Sequence, residues 1–496
     1  MRRFLFVLLS CCAVLLGGLA WYNYTHDELG ILNPEFSSRR ITAAENFVKT
    51  RYILGNPEKY DSFAFGSSRV AVLPLTELGD GRRWYNMSYQ AGVPAEWLAT
   101  LQYFVAGGVQ VKTVLCGLDD ASFRIDPEEH VRAFGDKVPY RPYDVETYLR
   151  LLFRRPEAPK PADFVYENGI FFDIYGTGNT PYPWRDEAIE RDPAAHAASD
   201  VFWQSSARRE DRLDATMRDI EELCAFARAH DIELIFFLNP LWQTTYIDND
   251  AAELDAFRRR LAQVTDYYDF SGLNDVATDA YNFYESSHYR PVTGRRILAR
   301  LFGGAAESPA GFGSYVTAET VEAHLTMLHA QQAAWEASHP DVRPRMEYER
   351  QFVRWCPPML SGAARTDVRL MVHLDHVGDA AAVAPGAHVT WPAADAKKNP
   401  DGTLKLSGFQ LPGMGVPQET AIVLRAADGS QWYLRAHGMD RPDINGMVGL
   451  TDVRLGWQAE ARSDGLPPGS YALSVVTRTA EGDLLASGDL MTLEKH

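Results

Sequence analysis

Four short apolar runs in the first part of the chain, each closed by glycine, asparagine or aspartate, limit its possible folds more than any other feature. They are "FAFGSS" with Phe63 to Phe65 running into Gly66-Ser67-Ser68, "VQVKTVLCGLDD" (Val109 to Asp120), "IELIFFLNP" (Ile232 to Pro240) and "DYYDFSG" (Asp266 to Gly272). An unbroken apolar run that stops at turn residues reads as a strand buried on both faces of a parallel sheet. Stretches with helical spacing fall between them, near Ala95 to Ala106, Asp211 to His230 and Ala252 to Val264, and another helix begins near Val292. Strand and helix in alternation predict a doubly wound α/β domain with a mostly parallel sheet. Ligands of such sheets gather outside the carboxyl ends of the strands. Gly66 to Arg69, Gly117 to Asp120 and Asn239 to Trp242 occupy three such ends.

A chain of 496 residues exceeds one compact core, so a second folded unit is expected. Phe312 to His339 reads as a helix that closes the first domain. Beyond Pro357-Pro358 the character changes to short alternating segments, among them "DVRLMVHLD", "LKLSGFQL", "TAIVLRAADGSQWYLRA" and "YALSVVT", with a hairpin signal at Asp428-Gly429. These predict a β-sandwich over residues 360–496 after an α/β domain over 23–345. Trp432, Tyr433 and Trp457 serve either its core or, if exposed, stacking on sugar rings. His373 and His376 in "MVHLDH" read as strand surface, with metal binding as the rival reading.

The N-terminus supplies a topology. After Met1-Arg2-Arg3, the run Phe4 to Tyr22 carries no charge and approaches the roughly 20 apolar residues needed to span a bilayer. Arg2 and Arg3 orient it with the short N-terminus in the cytoplasm and the body outside. Residues 1–22 are therefore expected to be an uncleaved anchor in a bacterial inner membrane, with Trp21 and Tyr22 in the interfacial belt. A cleaved signal peptide, with Gly18-Leu19-Ala20 as its cleavage region, is the competing reading. Cys11 and Cys12 fall inside this run, and Cys116, Cys224 and Cys356 form no ligand or disulfide pattern. A net charge of −17 without a basic run excludes a nucleic-acid surface.

Function turns on the serines after the first strand. A serine hydroxyl becomes a nucleophile when a base takes its proton and a carboxylate orients that base. His288 in "YESSHYRP" offers the imidazole, and Glu285 stands three residues before it. The bland alternative makes Gly-Ser-Ser a helix cap and His288 a structural histidine. Together, Gly66-Ser67-Ser68 at a strand end and Glu285-x-x-His288 late in an α/β domain resemble the SGNH (GDSL-type) hydrolase superfamily. More narrowly they are similar to its membrane-anchored extracytoplasmic branch, which includes alginate O-acetyltransferase-like and D-alanyl-transfer-type proteins. The resemblance spans roughly residues 40–340 and takes in "WYNMSYQAG", Trp84 to Gly92.

The resemblance implies Ser68 as nucleophile, His288 as base and Glu285 as orienter, with no cofactor. It also exposes departures: Ser67 replaces the aspartate of Gly-Asp-Ser, Glu285 replaces a shorter aspartate, and Asp119 stands where the family has an oxyanion-holding asparagine. An ionised Asp119 would repel a developing oxyanion, so that task is expected of Asn86 or of backbone N–H groups at Ser68 and Gly92, unless Asp119 is protonated or turned away. The function implied is O-acyl, chiefly acetyl, transfer to or removal from a cell-surface polysaccharide, with a membrane-bound O-acyltransferase as the implied acyl-supplying partner. The competing class is a non-catalytic envelope module that binds glycan through its β-sandwich.

Overall fold

The computed structural model describes residues 2–27, 29–33, 44–128, 138–141, 144–156, 173–203, 212–303, 308–362, 365–366, 370–378, 380–392, 402–412, 415–449, 453–462 and 465–496. They divide into two compact units, Met1–Ser338 and His339–His496.

The first unit is built on a six-stranded sheet of β1 (Ser62–Gly66), β2 (Trp84–Asn86), β3 (Thr113–Leu118), β4 (Glu233–Leu238), β5 (Tyr267–Asp269) and β6 (Ser314–Val316), in the order β2-β1-β3-β4-β5-β6. The first five strands run parallel and β6 is antiparallel to β5. Every residue of β1 and β3 is buried, as unbroken apolar runs require. The strand order reverses between β1 and β3, and in sheets of this kind ligands are expected at the carboxyl ends next to such a reversal. There Gly66 pairs with Gly117, and a Cβ on either would come within 2.4 Å of a Val70 methyl, so only glycine fits both positions.

The helices include α1 (Arg2–Thr25), α2 (Glu45–Leu54), α3 (Pro94–Ala106), α4 (Val145–Leu152), α5 (Leu213–Ala229), α6 (Ala251–Val264), α7 (Pro291–Phe302) and α8 (Val321–Ser338). Helix α1 is long and apolar enough to cross a membrane or to act as a signal sequence. The sequence expectation of one helix from Phe312 is corrected: residues 314–316 form the edge strand β6 and α8 starts at Val321. Gly311 and Gly313 at φ 82° and 84° break a helix around Phe312, and the pairing of residues 314–316 with β5 takes the next residues.

The second unit is β-rich and begins at residue 339, earlier than the expected 360. The connecting residues belong to it because Val353 exchanges backbone hydrogen bonds with Tyr433 and Phe352 enters its core. The strand Gln431–Met439 pairs with Pro417–Ala426 through its first part and with Gly456–Ala461 through its last three residues, joining two halves whose inward side chains share one core. Trp432 and Trp457 lie in that core, 5% and 0% exposed, and Tyr433 is half-buried, so none of the three forms an open sugar platform. His373 and His376 are exposed on the strand Leu370–Val377, as a surface reading expects. Cys116 and Cys224 are buried in the first unit, where burial pushes both thiols up.

Candidate active site

Ser68 starts a 3-10 turn, Ser68–Val72, that leaves the carboxyl end of β1. Its Oγ lies 2.8 Å from His288 Nε2, and His288 Nδ1 is hydrogen-bonded to Glu285 Oε1. With the Nδ1 proton directed at a carboxylate, Nε2 is the nitrogen left to accept the serine proton. Glu285 also receives the backbone N–H groups of Ser287 at 2.7 Å and His288 at 3.0 Å, which fix the carboxylate within its own turn. Burial pushes the Glu285 carboxyl up, but the His288 ring, the Ser287 N–H and the Arg69 charge outweigh it and hold the group below its ordinary value. The turn is fastened on several sides: Thr245 Oγ1 donates to Ser286 O, Tyr284 N–H to His288 O, and the Tyr289 hydroxyl to Asn239 Oδ1.

Ser67 faces the other way. Its hydroxyl donates to Asp119 Oδ2 at 2.6 Å and accepts from the Arg69 N–H, so its role is that of a cap and strut. Asp119 follows β3 and caps the next turn through the Ala121 N–H at 3.0 Å. Arg69 completes the cluster, with Nη1 3.1 Å from Asp119 and 2.9 Å from Asp120, both fully buried, and Nε donating to Ser287 O at 3.0 Å. Burial works against the Arg69 charge, yet Asp119 and Asp120 hold it protonated more firmly than usual. Sequence reasoning missed Arg69 and Asp120. The available signal was a basic residue and an acidic pair at the ends of neighbouring strands β1 and β3.

The four oxyanion candidates separate on their hydrogen bonds. Asp119 is turned away toward Ser67 and Arg69. Asn86 is fully buried, its Nδ2 given to Val70 O at 2.8 Å and its Oδ1 taken by the Ser88 N–H, so the expectation that it faces an oxyanion is corrected. The Gly92 N–H donates to Tyr89 O at 3.1 Å inside a turn whose third residue, Ala91, sits at φ 47°. The Ser68 N–H opens its 3-10 turn, where no intrahelical acceptor exists, and it donates to none of the described residues. Among the described residues, no group of three or more His, Cys, Asp or Glu side chains is placed to hold a metal. A cavity of about 630 Å³ lies between α2, α3 and α4, lined by Asn46, Glu96, Tyr103, Tyr140 and Arg150, and neither Ser68 nor His288 lines it.

No family model matches the chain. No curated protein matches it either. Among solved structures, a Streptococcus pneumonia protein described as a platelet activating factor is 11% identical, covering 51% of this chain and 87% of its own, at a TM-score of 0.27. CopC from Methylosinus trichosporium OB3b is 16% identical over 25% of this chain and 96% of its own, at 0.15. The fibronectin(III)-like modules of Clostridium thermocellum CbhA are 15% identical over 25% of this chain and 94% of theirs, at 0.14. Likenesses this low carry no argument about fold or activity, and the reading of the site rests on its own geometry.

Proposed function

We propose that the first unit is a serine-dependent O-acyltransferase or esterase of SGNH type, held on the outer face of a bacterial inner membrane and acting on cell-surface polysaccharide. The observation that carries this reading is the line Ser68 Oγ, His288 Nε2, His288 Nδ1, Glu285, in continuous hydrogen-bond contact. In the proposed reaction Ser68 Oγ bonds to the acyl carbon as its proton passes to His288 Nε2. The bond from that carbon to the donor's oxygen then breaks, and His288 returns the proton to the departing oxygen. An acceptor hydroxyl, from sugar or water, repeats the sequence in reverse and frees Ser68. The ionised Glu285 balances the imidazolium. The Ser68 N–H is the donor available to the oxyanion from this turn. In this reading a membrane-bound O-acyltransferase supplies the acyl group, and α1 keeps the two in one membrane.

A second reading, a non-catalytic envelope module, is favoured by the oxyanion donors: the Gly92 N–H is given to Tyr89 O, and Asn86 is fully buried with its Nδ2 on Val70 O. One experiment separates the two. Incubation with an activated acetyl ester, followed by mass spectrometry, should show one acetyl group on Ser68, lost faster with added oligosaccharide than in buffer if the protein is a transferase. Ser68→Ala should abolish both adduct and turnover. Equal turnover by wild type and Ser68→Ala, or no adduct and no turnover in either, would leave the module.

A further inference from the structure

The residues that follow the apolar run of α1 are built into the body of the first unit without a linker. Asn23, in the last turn of α1, is 3% exposed and its Nδ2 donates to Leu152 O at 2.8 Å and to Arg154 O at 3.0 Å. The anchor helix thereby caps the carboxyl end of α4, whose last carbonyls have no intrahelical donors. Leu29 and Ile31 continue inward to join Phe47, Val138 and Leu151 in a small core, while Arg51 holds the Ile31 and Gly30 carbonyls.

This junction sets a height. At 1.5 Å per residue, about 20 residues of α1 cross a hydrocarbon core of about 30 Å, so a helix whose apolar run starts at Phe4 leaves the core near Asn23. The carboxyl end of α4, hydrogen-bonded to Asn23, therefore lies at the membrane surface. Helix α4 is amphipathic in the matching sense. Val145, Leu149 and Phe153 recur every four residues along one side and are 66%, 49% and 43% exposed, whereas Leu151 turns into the core. Arg150, Arg154 and Arg155 border this stripe, Arg150 and Arg155 exposed and Arg154 half-buried, and Glu146 and Asp144 are the acidic groups on the same element. Apolar side chains with adjoining arginines suit acyl chains below and lipid phosphates beside them.

We infer that α4 is a second membrane contact, lying in the outer interface with Val145, Leu149 and Phe153 among the lipids. The inference rests on reading α1 as an uncleaved anchor. The test uses the full chain carrying Cys11→Ser, Cys12→Ser and Cys356→Ser, reconstituted in vesicles of phosphatidylcholine and phosphatidylglycerol. Nitroxide labels are placed singly at Leu149→Cys, Phe153→Cys and Arg150→Cys, with Leu15→Cys as the buried reference. At Leu149 and Phe153, oxygen should relax the label more than a water-soluble nickel chelate does, as at Leu15, and at Arg150 the order should reverse. Greater nickel access at both apolar positions would overturn the inference, and is the result expected if the stripe docks another protein. A carbonate wash of unlabelled membranes keeps the two readings apart. Release, with a new N-terminus near Trp21, overturns the anchor itself, whereas retention with nickel-accessible labels overturns the α4 contact alone.

Discussion

Arg69 does more than follow the candidate nucleophile. Its planar guanidinium reaches two buried carboxylates on the β3 end and a carbonyl of the His288 turn, so it ties together the two segments that must stay in register for proton transfer. Arg69→Met should destabilise the first unit by about 3–5 kcal/mol, because it leaves Asp119 and Asp120 buried without a cation, and a lowered urea midpoint would report it. Within the proposed reaction, Ser68→Ala and His288→Ala should lose ester turnover alike, Ser67→Ala should lose far less, and Glu285→Gln should retain more than His288→Ala. Because Glu285 is held below its ordinary value of about 4.3, its contribution to stability is complete above that pH and is lost as pH falls through the lower folded-state value. Urea titrations of wild type and Glu285→Gln should therefore differ most at neutral pH and converge on acidification. The Glu285-His288 pairing was legible in the sequence because both residues share one turn. The Ser67–Asp119 and Arg69–Asp120 contacts were not, because they join residues 52 and 51 positions apart whose proximity depends on how β1 and β3 align.

At the scale of elements, β1, β3 and β4 could be read as apolar runs of five or six residues, whereas the three-residue parallel strand β2 was not recognised. The edge strand β6 could not be read either, since three residues with one buried side chain carry no such run. The turn after β1 depends on close approach. Gly66 and Gly117 each face the same Val70 methyl, at 2.3 and 2.4 Å for an added Cβ, so Gly117→Ala should cost about 1–3 kcal/mol and disturb Ser68. Val70→Ala should relieve only part of that cost, because the Phe237 ring would still lie 2.7 Å from the added Cβ, and thermal melts of the single and double variants would expose the coupling as non-additivity. The turn Tyr89 to Gly92 is equally tight, since a Cβ at Gly92 would lie 2.5 Å from the Gly66 carbonyl oxygen. That contact explains why "YQAG" ends in glycine and presses on the end of β1.

At the scale of the whole molecule, the change from long helices to short alternating strands was visible in the sequence, but the position of the boundary was not. Residues 339–359 carry no strand pattern, yet Glu349 is buried against Arg435 at 3.1 Å and Phe352 fills the β-rich core. A fragment of residues 339–496 should melt cooperatively with a β-rich circular dichroism spectrum. One of residues 360–496 should be less stable by several kcal/mol or fail to fold, because Arg435 loses a buried partner. The first unit holds its own lesson in the join at Asn23. A protein on a flexible leash searches a volume set by the leash, and one without a leash searches only the plane in which its helix diffuses. In the anchored reading, Ser68 rides at a nearly constant altitude, and a polymer chain must come to that altitude to be modified. Ten glycine and serine residues inserted after Thr25 would add a reach of roughly 17 Å. The insertion would turn a fixed station into a roaming one.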